Sequence, residues 1–175
     1  MMVRTITVAT ILLALVAVER SSGTAEEARL TARANPPLAT FDPCSLLTYE
    51  EIKSAAGWKP DSSRAKAYGS TGNCTWYGPN ALTQNIALLV GQGMSDMSSS
   101  KKMAEWRAKQ YADYKVTGAI VEPIEGLGVP AIRNEFGAVG IEMAVGKQLV
   151  TVSGLTLKFE QAKKLAAFVL ARMKK

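Results

Sequence analysis

Only two cysteines occur in the 175 residues, and a bond between them would constrain everything in the segment they enclose. Cys44 stands in Asp42-Pro43-Cys44-Ser45-Leu46-Leu47-Thr48 and Cys74 in Asn73-Cys74-Thr75-Trp76. A disulfide here pins the first predicted helix to the start of a sheet. By loop-closure entropy a tie across about 30 residues contributes about 3–4 kcal/mol. A domain of this size is stable by only about 5–15 kcal/mol, so that is a large share. The spacing is far from C-x-x-C, so the pair reads as structural and not redox-active. Cystines persist in oxidising compartments, which places the expected location outside the cytosol.

The N-terminal residues point the same way. Residues 1–34 read as a signal peptide and a short tail: Arg4 supplies the positive charge, 6–18 is an uninterrupted run of apolar residues and threonines, and Glu19-Arg20 ends it. A regular helix of that length is too short to cross a hydrocarbon core of about 30 Å. Gly23-Thr24-Ala25 and Ala32-Arg33-Ala34 both suit cleavage. No cysteine closely follows the apolar run, so no lipobox is present and the expected product is periplasmic or secreted. Residues 35–175 are then expected to form a single disulfide-tied domain. The leader holds four basic and three acidic residues, so of 21 and 15 the body keeps 17 and 12 and carries +5. The basic side chains are scattered, which argues against nucleic acid and for at most a weak association with an anionic membrane surface.

There is no histidine. That removes Ser-His-Asp and Cys-His catalysis, histidine-based zinc sites and an imidazole base at neutral pH. Gly91-Gln92-Gly93 lacks the third glycine and the lysine of a phosphate loop, and the 96–100 region lacks the alternating ligands of a calcium loop, so no cofactor or metal is expected.

Along the body, Asn35-Pro36-Pro37 reads as an extended linker. Thr48-Tyr49-Glu50-Glu51 is a capping box that starts a helix ending at Gly57. Residues 59–72 read as a mobile polar loop. Residues 74–77 and 84–90 form a hairpin across Gly78-Pro79-Asn80. Ser99 or Ser100 caps a helix over about 101–111. Residues 116–124 are a further candidate strand, and 131–135, 138–144 and 148–153 form a meander turning at Phe136-Gly137 and Gly146-Lys147. Ile141, Met143 and Val145 alternate with Glu142 and Ala144 as in a half-buried strand, which puts Glu142 on a solvated face. Residues 159–174 carry the cleanest helical stripe. The order α-β-β-α-β-β-β-α implies an α+β fold, an antiparallel sheet with helices packed on it.

The Cys44 segment with Glu50-Glu51, the Cys74-Thr75-Trp76 element, Gly126-Leu127-Gly128 followed by Ala131, the Gly146 turn and the terminal helix together resemble a family of small bacterial, mainly actinobacterial, secreted proteins and lipoproteins of unknown function. The similarity runs over about 41–172. It implies a PsbP-like α/β sandwich and no reaction. The chain departs from that family in lacking a lipobox cysteine, and in carrying Val129-Pro130 where an acid often follows the glycine pair.

For function, the residues favour an exported, non-enzymatic cell-envelope protein: a binding or accessory module for an envelope protein or small ligand. Trp58, Trp76, Tyr77, Trp106, Tyr111 and Tyr114 are the aromatics able to line a groove. Trp76, Tyr77, Trp106 and Tyr111 are taken as the ligand-binding set, although Trp76 beside a cystine also suits core packing. The alternative is a hydrolase in which two of Glu122, Glu125, Glu135 and Glu142, or Ser98 with Lys101, converge in one cleft. A weaker third reading is an inhibitor or immunity-type protein whose basic helices meet an acidic target.

Overall fold

A seven-stranded, wholly antiparallel sheet with order β1-β2-β3-β7-β6-β5-β4 carries three helices on its two faces. This computed structural model describes residues 42–68, 71–93 and 97–173, within the compact unit Pro37–Lys175. The expected leader over 1–34, the expected 35–37 linker and Lys174-Lys175 lie outside them. The strands are β1 Ser62–Tyr68, β2 Thr71–Tyr77, β3 Asn85–Gln92, β4 Ile120–Ile124, β5 Ala131–Glu135, β6 Val139–Val145 and β7 Gln148–Gly154. The helices are α1 Tyr49–Ala56, α2 Ser100–Asp113 and α3 Phe159–Met173, with a 3-10 turn at Pro43–Leu46 before α1. The expected α+β class is the one observed.

Local chemistry sets the helix ends. Thr48 accepts from the Glu51 amide at 3.2 Å while the Glu51 carboxylate accepts from the Thr48 amide at 2.9 Å, and Gly57 closes α1 at φ +83°. Ser99 caps α2 by accepting from the Lys102 amide at 3.2 Å. The meander turns at Gly137 (φ +70°) and Gly146 (φ +59°), backbone angles that a side chain resists.

The cystine joins the 3-10 turn to β2: Cys44 and Cys74 are bonded with Cα atoms 5.1 Å apart. The turn is pre-shaped by Asp42, whose Oδ1 accepts from the Cys44 amide at 2.9 Å, and by Pro43. Cys74, Trp76, Ile86, Leu88, Val90, Ile141, Met143, Val150 and Val152 alternate along their strands onto one face. There they meet Leu46, Leu47 and Ile52 from the 3-10 turn and α1, and Ala162, Leu165, Ala166, Val169 and Leu170 from α3. The opposite parity (Ile132, Ala144) meets Met103 and Ala104 of α2 in a smaller second core. α2 therefore covers the other face, over β4 and β5.

Two expectations change. The 59–72 segment is not a loop throughout. It contains β1, paired with β2 from Ser62↔Tyr77 to Tyr68↔Thr71; Gly69 and Ser70 lie outside the described residues. Ser-Ser-Arg-Ala-Lys-Ala-Tyr has no apolar stripe, because an edge strand covered on one face only by the 3-10 turn needs none. With 120–124 also a strand, the order becomes α-β-β-β-α-β-β-β-β-α. Second, β6 is not half-buried: Gly140 to Ala144 are all buried, because α2 sits where solvent was expected.

Candidate functional site

The register places one residue of every strand in a single row across the sheet. Ser63 pairs with Trp76, Trp76 with Ile86, Val139 with Gly154, Glu135 with Val139 and Ile120 with Glu135, while Ile86, one residue before the Ala87↔Ser153 pair, falls opposite Gly154. This row and the β2–β3, α2–β4, β5–β6 and β7–α3 connections beyond it make one end of the sheet. Five of the six large apolar side chains most exposed among the described residues stand there: Leu82 (86%), Tyr114 (79%), Phe136 (59%), Leu155 (51%) and Ile120 (39%). The sixth, Leu89, is out on β3. Scattered exposed apolar residues are ordinary; gathering at one end of a sheet is not.

Local bonds hold these loops together. Thr156 Oγ1 donates to Thr83 O at 3.1 Å, tying the β7–α3 connection to the β2–β3 turn. Gly78 donates to Gln84 O at 2.8 Å and Asn80 to Gln84 Oε1 at 3.0 Å, closing the turn that presents Leu82. α2 ends with Val116 donating to Tyr111 O at 2.8 Å, which sets Tyr114 outward. The Tyr111 and Phe136 rings lie 6.0 Å apart. A shallow groove of about 270 Å³ runs through this end, lined by Gly118, Ile120, Glu135, Gly137, Val139 and Leu155. Its one charged wall, Glu135, accepts from Arg133 Nε at 2.6 Å, and Arg133 lies 5.1 Å over the Phe159 ring. The Glu135 hydrogen bond, opposed by desolvation and helped by the charges of Glu135 and Glu122, raises the Arg133 pKa and keeps its guanidinium charged.

The four aromatics expected to bind a ligand do not form one groove. Trp76 is fully buried in the main core on the face of α1 and α3, with its indole Nε1 lacking a hydrogen-bond partner, so no surface ligand reaches it. The reason is the strand period: Cys74 and Trp76 share a face, and the cystine side is the core side. Tyr77 is half-buried on the opposite face, beneath Arg64 at 5.8 Å. Trp106 and Tyr111 are brought together on α2, flanking the Arg107 guanidinium at 4.5 and 5.9 Å. Trp58 packs against the main core beside Gly78, where an added Cβ would sit 2.7 Å from its ring.

Beneath α2 lies a polar network that sequence reasoning missed. Arg107 donates to Glu142 Oε2 through Nε at 3.0 Å and Nη2 at 2.6 Å, and through Nη1 to Gln110 at 2.7 Å. Asn134 donates to the other Glu142 oxygen at 2.5 Å and accepts from Tyr111 OH at 2.7 Å. Glu142 is thus buried and fully partnered, contrary to the solvated face expected for it. The available signal was a lone acid within Ile141-Glu142-Met143. For the apolar end it was the large residue at the Phe136-Gly137 turn, a position that ordinarily favours polarity.

The acids named for hydrolysis are split by the sheet. Glu142 is on the α2 face. Glu122 and Glu135 are on the other, with the Arg133 guanidinium between them, 3.4 Å from Glu122, where a reacting group would have to sit. Glu125 borders a separate open groove of about 360 Å³ with Ser99, Ser100, Gly126 and Gly128. The Ser100 hydroxyl there is engaged by Ile124 O and the Ala131 amide, both at 3.0 Å. Of the Ser98–Lys101 pair named for hydrolysis, both members are exposed, and Lys101 stands beside Glu105 at 4.0 Å. Among the described residues no group of three or more acids, cysteines or histidines could hold a metal, and no helix is long and apolar enough to cross a membrane. No protein-family model matches the chain, and no curated protein matches it either.

Proposed function

We propose that this chain is an exported, non-enzymatic cell-envelope protein, periplasmic or secreted, that works as a binding or accessory module through the apolar loop end of its sheet. The observation that carries the reading is the clustering of Leu82, Tyr114, Ile120, Phe136 and Leu155 at one end of the sheet, around a shallow groove. Surfaces of this kind mark interaction sites. The cystine supports an oxidising location, and the leader expected over residues 1–34 supports export. The resemblance to secreted proteins of unknown function agrees with both. The separation of Glu142 from Glu122 and Glu135 by the sheet, and the Arg133 guanidinium between the latter two, favour binding over hydrolysis by a carboxylate pair.

A photo-cross-linking residue tests the reading when placed at position 136 or 155 and, for comparison, at position 89. In exporting cells the first two positions give discrete adducts and position 89 does not. Equal labelling from all three positions would sink the assignment of the binding surface to this end.

A further inference from the structure

We infer that the apolar loop end docks on a bilayer surface, inserting its side chains at the headgroup level. This inference rests on the binding-module reading and names the partner of that same surface. The exposed side chains rise from four separate connections and from the first residue of β4. They spread along a seven-strand sheet about 29 Å wide at about 4.8 Å per strand spacing. Only part of that width is grooved; Leu82, Tyr114 and Phe136 lie outside the groove lining. Separate protruding side chains suit a deformable, laterally uniform partner better than a rigid one, which needs a continuous complementary surface. The chemistry agrees: a tyrosine and a phenylalanine stand among aliphatics, and phenolic rings favour the boundary between water and acyl chains.

Charge adds to this. Lys115 follows Tyr114, Lys158 stands three residues after Leu155, both are exposed, and residues 35–175, with 17 basic and 12 acidic side chains, carry +5. Asp61 and Asp113 are exposed near the same end, so apolar insertion leads and anionic lipid strengthens it.

The experiment uses disulfide-bonded protein purified from exporting cells and co-sedimented with vesicles of phosphatidylcholine, alone or mixed with phosphatidylglycerol. The protein partitions onto both, more strongly onto the anionic mixture. The triple variant Leu82→Ser, Phe136→Ser, Leu155→Ser partitions about tenfold less or weaker on both compositions, while Leu89→Ser partitions as wild type does. Unchanged near-ultraviolet dichroism and melting of the triple variant separate lost insertion from lost folding. Absence of partition by the wild type overturns the inference, as does partition that ignores the triple substitution. A concentration-dependent dimer abolished by the triple variant, with no vesicle binding, assigns the end to a second copy instead. Discrete cross-links from position 136 to a protein, again with no vesicle binding, leave the binding surface standing and remove the bilayer.

Discussion

Glu142 is the residue on which the seating of α2 depends. A carboxylate buried in a strand is tolerated only when its charge and lone pairs are met, and Arg107 and Asn134 meet them. Arg107→Met should therefore cost about 3–5 kcal/mol by leaving the charge unpaired, whereas Arg107→Met with Glu142→Met should cost much less. Urea denaturation of the two variants checks this, and equal losses would mean that the pair does not act as a unit. Sequence alone placed Glu142 on a strand correctly but on the wrong kind of face. Strand parity says only that Glu142 opposes Ile141 and Met143. Whether that side meets water depends on α2, which begins over 40 residues earlier, and no local pattern encodes that crossing. The exposure of Leu82, Phe136 and Leu155 was hidden for the same reason: an apolar loop residue is read as a candidate for burial until the packing leaves it uncovered.

α1 and α3 are joined at the element scale through Glu51. Its carboxylate closes the α1 capping box and accepts from Arg172 Nη1 of α3 at 2.8 Å, while Lys164 Nζ donates to Ser54 O at 2.9 Å. Burial pushes the Glu51 carboxyl up, but the hydrogen bonds from Arg172 and Thr48 together outweigh it and hold the group below its ordinary 4.5. A carboxyl with a depressed folded pKa contributes stability that is complete above the unfolded value and is lost as pH falls through the folded value. Wild type should thus weaken as pH drops below 4.5, and Glu51→Ala should be less stable at neutral pH with a shallower acid limb. Melting curves across that range test it; parallel acid limbs would exclude Glu51 as a contributor. The capping box and the α3 stripe were legible because a helix states its ends and its face locally. β1 was not, because Ser62–Tyr68 is a strand only by virtue of its ladder to β2.

The whole molecule is closed by two long-range connections, the β3–β7 ladder from Ala87↔Ser153 to Gln92↔Gln148 and the cystine. The ladder joins the N-terminal hairpins to the C-terminal meander and makes one sheet of two local units. The cystine acts on the unfolded chain instead: it encloses α1 and β1 and removes conformations that they would otherwise explore. Replacing both cysteines by alanine should lower stability by about 3–4 kcal/mol. The loss should be felt first at β1 and α1, so hydrogen exchange should rise there while β5, β6 and β7 stay protected. Cys74 is fully buried, so a native bonded protein taken from exporting cells should resist alkylation unless reductant is added. Stoichiometric labelling without reductant would mean that the bridge does not form in the cell, and the extracytoplasmic assignment would fall with it. Uniform exchange across the sheet in the alanine variant would instead show that the tie stabilises the fold as a whole rather than its N-terminal edge.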